Sequence, residues 1–95
     1  MENKNKYLMV LQIQCPVCKD WIYSRAAHDF HHCSCKKTAV DGGHWDDDDE
    51  CWKYGRFMGD YATTKQRMRR VTADERMLYN DWNNSEDKYG TIKGE

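Results

Sequence analysis

The chain has 95 residues, 39% of them hydrophobic and 33% charged, with five cysteines and a formal net charge of −1. That length excludes more than one domain and leaves a marginal core that a metal staple would relieve. The near-zero charge gives no general attraction to polyanions, so any nucleic-acid role must rest on a local patch.

The opening MENKNKYLMVLQIQ holds no apolar run long enough for a signal peptide, and nothing resembles a membrane span. The expected location is a reducing cytosol, where close cysteine pairs point to metal or redox chemistry rather than disulfides. Tyr7 to Gln14 reads as a strand, with Leu8, Val10 and Gln12 on one face and Met9, Leu11 and Ile13 on the other. Trp21 to Tyr23 is the expected return strand of a hairpin carrying the turn CPVC. Thr38 to Val40 forms a short strand, ended by the turn signal Asp41-Gly42-Gly43. The loop HWDDDDE follows, then the aromatic strand CWKYGRF, and the stretch from Met58 to Arg70 reads as a loop and an exposed strand.

Thr72-Ala73-Asp74-Glu75 has the form of a capping box, with Thr72 as N-cap. Ala73, Met77, Leu78 and Trp82 then make an apolar stripe, predicting a helix from about Ala73 to Asn83. The expected class is α+β: a small zinc-stapled β-hairpin or ribbon sheet with one C-terminal helix. Residues 1–84 are expected to form a single zinc-ribbon-like domain, and 85–95 a flexible tail.

The chemistry concentrates between Cys15 and Cys35. Cys15-Pro-Val-Cys18 has the form of a zinc knuckle, in which two thiolates converge on one ion while turn N–H groups point at the sulfurs. Cys33-Ser-Cys35 supplies the second half, as CxC where a ribbon ordinarily has CxxC. Cys15, Cys18, Cys33 and Cys35 would close a tetrahedral structural zinc site and leave a catalytic water no room. A redox dithiol wants a βαβ context that is missing. His28, His31 or His32 could replace Cys33 or Cys35; alternatively His28 packs within the hairpin and the other two are exposed. His44 and Cys51 could hold a second ion with the nearby aspartates, or Cys51 is simply a small strand residue.

The run CPVCKDWIYSRAAHDFHHCSCKKTAVDGG resembles a small zinc-ribbon-like domain family of uncharacterised function found in bacteriophage genomes. Cys15, Cys18, His28, Asp29, Cys33, Cys35, Asp41, Gly42, Gly43, Tyr54 and Arg56 fall on its pattern. Lys36 stands where that family usually has glycine, and HWDDDDEC looks inserted. The resemblance implies a phage or prophage origin, hence the cytoplasm of a host bacterial cell, and supplies no activity.

Two partner classes follow. A small phage chain with no evident catalytic group commonly acts by occupying a host protein. Trp45, Trp52, Tyr54 and Phe57 crowd beside the acidic run with Arg56 among them, and such residue types anchor interfaces. Asp46, Asp47, Asp48, Asp49 and Glu50 could imitate nucleic-acid phosphates and engage the basic channel of a defence nuclease, including a CRISPR effector. An anti-CRISPR or other anti-defence inhibitor is the expected function. Against it stand two plainer readings: a solvated acidic loop, and a small core built from the aromatics. The alternative is a nucleic-acid-binding zinc ribbon, a phage transcription or replication accessory. Lys65, Arg67, Arg69 and Arg70 would form its patch, extended by Lys36 and Lys37. No enzyme is expected, because neither His28 with Asp29 nor His44 with the aspartates makes a paired constellation.

Overall fold

The strand that opens the fold carries apolar residues on both faces, and each face has one fully buried, Val10 and Ile13. In the computed structural model, which describes residues 8–60 and 62–93, β1 (Leu8–Gln14) runs through the middle of a mixed sheet. It is followed by β2 (Trp21–Ile22), β3 (Phe30–His32), β4 (Ala39–Asp46), β5 (Cys51–Met58), β6 (Lys65–Val71), α1 (Glu75–Asn83) and β7 (Thr91–Ile92). Tyr7, expected to begin the first strand, lies outside the described residues. The strand order is β3-β4-β5-β1-β2-β7, with β6 also on β1. β6 pairs antiparallel along all of β1, from Leu8↔Val71 to Gln14↔Lys65. On the opposite side of β1, β5 touches it in parallel at Val10↔Trp52, and β2 pairs antiparallel at Ile13↔Ile22. The sheet curls into a half-barrel, a zinc-ribbon-like α+β fold.

The alternation along β1 divides the core in two. Val10 packs with Tyr23, Trp52, Ala73 and Leu78. Ile13 packs with Ile22, Val40 and two of the cysteines, Cys15 and Cys33. The cysteine cluster therefore forms part of one core rather than decorating its surface.

Several expectations need correction. Asp41-Gly42-Gly43 does not end a strand; all three lie inside β4, whose ladder with β5 continues to Asp46↔Cys51. The glycines serve close approach instead. A Cβ on Gly43 would sit 2.3 Å from the Trp52 indole nitrogen, so the indole packs flat across the backbone there. Gly42 takes φ +78°, a conformation that kinks the strand. The helix N-cap is Asp74, not Thr72: its carboxylate accepts from the Met77 N–H at 2.9 Å. Aspartate is the better cap, and its placement starts the helix two residues late. β3 was not expected, because its pattern FHH hides strand alternation behind two histidines.

The flexible tail is also corrected, as far as Lys93. After α1 the chain turns back, and β7 pairs with β2 through Trp21↔Ile92 and Ile22↔Thr91. Polar composition concealed this, because the return is held by buried polar groups rather than by an apolar run. Residues 94 and 95 lie outside the described residues.

Candidate metal centre

Four sulfurs converge where the β1–β2 hairpin meets the loop between β3 and β4. The ligand atoms of Cys15, Cys18, Cys33 and Cys35 all lie within 4.8 Å of one another. Cys15 Sγ is 3.4 Å from Cys35 Sγ, and Cys33 Sγ is 3.5 Å from Cys35 Sγ. A tetrahedral ion with bonds of about 2.3 Å to sulfur wants its sulfurs roughly 3.8 Å apart, so these residues fit a metal ion with little movement.

Local structure explains the convergence. The Val17 N–H points at Cys15 Sγ at 3.4 Å, as the first knuckle requires. Lys19 N–H closes that turn on the Cys15 carbonyl, and Lys36 N–H closes the second on Cys33. Each knuckle ends on a lysine in the left-handed region, Lys19 at φ +69° and Lys36 at φ +66°. Thus Lys36 occupies a position that glycine would take without strain. Asp20 ties the halves together by accepting from the Ser34 N–H at 2.9 Å. Lys93 reaches the same place, 3.6 Å from Asp20 and donating to Ser34 Oγ.

The four thiols are electrostatically unequal. Burial would raise Cys15, but the Thr38 side chain, the Cys18 and Val17 N–H groups and the Cys35 thiol outweigh it and bring it to about 6. Burial pushes Cys18 and Cys33 up. One thiolate is thus favoured before any ion arrives, and a cation would draw off the remaining protons.

The histidines stand apart from this cluster, and the expectation for them is reversed. His31 is the buried one, with Nε2 2.6 Å from Thr91 Oγ1 and Nδ1 3.5 Å from an Arg25 nitrogen. His28 and His32 are exposed, His28 near Trp82 and His32 against Phe30. Cys51 is a fully buried strand residue in β5.

The expected partner-binding residues divide between two places. Trp45 and Asp46 through Glu50 form the tip of the β4–β5 hairpin. Asp46 Oδ1 accepts from the Asp48 and Asp49 N–H groups, and Lys53 pairs with both Asp46 and Asp49. Arg56 is at the far end of the ladder, five positions along β5 from the tip, paired with Asp41 at 2.8 Å. Trp52 belongs to the core, Tyr54 and Phe57 are half-buried, and Trp45 is exposed. Lys65, Arg67 and Arg69 alternate along β6 and Arg70 is a neighbour; the Arg67 guanidinium lies 4.0 Å over the Trp21 ring.

Sequence reasoning missed a buried charged knot. Arg25 donates to Asp29 at 2.7 Å and Asp81 at 2.7 Å, and to the Glu86 carbonyl, tying the hairpin to α1 and the returning chain. The only signal was an Arg and an Asp four positions apart within SRAAHD.

No helix among the described residues is long and apolar enough to cross a membrane. No curated protein and no solved structure matches the chain. Residues 7–46, which hold all four clustered cysteines, match the model of a domain of unknown function (DUF7695), and over that stretch the chain is similar to that family.

Proposed function

We propose that this chain is a zinc-stapled interaction protein that occupies a basic surface of a partner, in its most specific form a phage-encoded inhibitor of a bacterial defence nuclease such as a CRISPR effector. Zinc is the metal of choice because four thiolates suit a soft tetrahedral ion and leave no open position. The staple then does no chemistry; it holds the hairpins in place and the chain works by binding. What carries the reading is the β4–β5 tip. Asp47, Asp48, Asp49 and Glu50 are all exposed, beside an exposed Trp45, on a turn pinned by Asp46 and Lys53. Five carboxylates against one ammonium leave the tip strongly anionic, and its order lowers the entropy cost of docking. A nucleic-acid channel is complementary to such a surface.

The test is inhibition of DNA cleavage by a purified CRISPR effector, alongside metal content by mass spectrometry. One zinc per chain is expected, and Cys15→Ser should lose both metal and fold. The triple variant Asp47→Lys, Asp48→Lys, Glu50→Lys spares the two carboxylates that hold the turn and should lose inhibition. Inhibition unchanged by that variant rules out the tip.

A second reading has its own observation. The stacking of Arg67 on Trp21, with Lys65 and Arg69 on the same face of β6, suits phosphate and base contacts by a transcription or replication accessory. A salt-sensitive shift of single-stranded DNA, lost in Lys65→Glu with Arg69→Glu, would favour it.

A further inference from the structure

α1 and the loop after β2 enclose a second site, unrelated to the thiolates. Glu75, Tyr79 and Trp82 recur at i, i+4 and i+7, so they stand on one stripe of the helix. With Trp52, His28 and Arg25 they line a cavity of about 200 Å³. The Tyr79 and Trp82 rings meet at 5.5 Å and 59°, forming two walls of a corner, and the His28 ring lies 6.3 Å from Trp82, tilted by 37°. Trp52 makes a rigid third wall, because its indole N–H donates to the Ser24 carbonyl at 2.6 Å.

The permanent charges around this cavity are anionic in sum. Arg25 contributes one positive charge, but Asp29 and Asp81 both bind it, and Glu75 adds a third carboxylate at the cavity itself. Aromatic faces also carry negative potential. Elsewhere the chain fills such a face from within, as Arg67 does over Trp21. Among the described residues no lysine or arginine lies over Tyr79 or Trp82.

We propose that this cavity binds a small organic cation, a quaternary alkylammonium head group, against Trp52, Tyr79 and Trp82 with Glu75 as counter-ion. Cation–π attraction needs the cation within about 6 Å of the ring centroids, and the corner provides several such faces at once. Its volume lies below the ~300–1,000 Å³ typical of drug-sized ligands, which suits a head group and not a nucleotide. A primary ammonium would bring three N–H donors to walls offering one carboxylate, whereas a methylated nitrogen has none to satisfy. Metal cations want several oxygen ligands, which aromatic walls lack. The proposal is independent of the function proposed above.

The test is an NMR titration of the full metal-loaded chain, following the tryptophan indole N–H signals. The probes are choline, its neutral isostere 3,3-dimethyl-1-butanol, and a trimethyllysine peptide. Saturable shifts with choline or the peptide, and much weaker ones with the alcohol, are expected. Glu75→Gln, at an exposed position, should weaken choline by about two- to five-fold. Tyr79→Ala should weaken it by roughly five-fold or more. Tighter binding of the peptide assigns the head group to a modified protein tail, and tighter choline to a free metabolite or lipid; either supports the site. Equal binding of choline and alcohol, or no saturable shift with any probe, overturns it.

Discussion

Lys36 shows how much one backbone angle can decide. At φ +66° an L-residue crowds its Cβ against its own carbonyl, and nothing about the lysine side chain requires the position. Lys36→Gly should therefore raise stability by about 0.5–1 kcal/mol, read as a higher urea midpoint with unchanged metal content. Asp81 is the other decisive residue. Burial would raise its carboxyl, but the Lys88 N–H, the Arg25 guanidinium and the Tyr89 N–H hold it below the usual carboxylate range. A group with a depressed folded value stabilises fully above its unfolded value and loses that contribution as pH falls through the folded one. Stability should decline below about pH 4 for this reason. Asp81→Asn should flatten that decline relative to the unmodified chain, and the comparison cancels whatever acid does to the thiolates.

At the scale of elements, the β4–β5 ladder depends on glycine as a gap. Gly43 leaves room for Trp52, and Trp52 in turn reaches Ser24 across the sheet. Gly43→Ala forces the indole to move and should cost about 1–3 kcal/mol, with the indole N–H resonance displaced. An unmoved resonance would show that the ladder accommodates the methyl elsewhere. α1 reads more simply: Leu78 and Asp81 are its buried residues, one apolar and one ionic, and Asp74 caps it. Its helical period was legible from Leu78 and Trp82. The buried face was not, since an aspartate seven residues after an N-cap aspartate looks solvated until Arg25 is found opposite.

For the whole molecule, a small apolar core leaves much of the fold to polar ties. Among the described residues the buried aliphatics larger than alanine are Val10, Ile13, Ile22, Val40 and Leu78. At about 1.5–3 kcal/mol each they contribute modestly, and a metal ion held by the four thiolates would add to them. The returning C-terminal segment adds ties of its own: the Glu86 carbonyl accepts from Arg25, the Gly90 carbonyl from the Tyr23 N–H, and Thr91 meets His31. Ending the chain at Asn84 should lower the melting temperature by about 10 °C or more, given ~4–8 °C per kcal/mol for a domain of this length. An unchanged melt would make β7 ornamental.

Sequence alone determined what depends on residue type and short spacing. Cys15, Cys18, Cys33 and Cys35 announce a metal site because two close pairs need only a turn each to converge. The apolar run of β1, the basic strand β6 and the helical stripe are equally local signals. Tertiary structure decided what depends on residues brought from afar. That Arg25 meets Asp81, that His31 is buried while His28 is not, and that Trp52, Tyr79 and Trp82 share a cavity all follow from packing α1 and β7 against the hairpins. Polar residues carry these contacts, and a polar residue's burial is set by the partner it finds, not by its own composition.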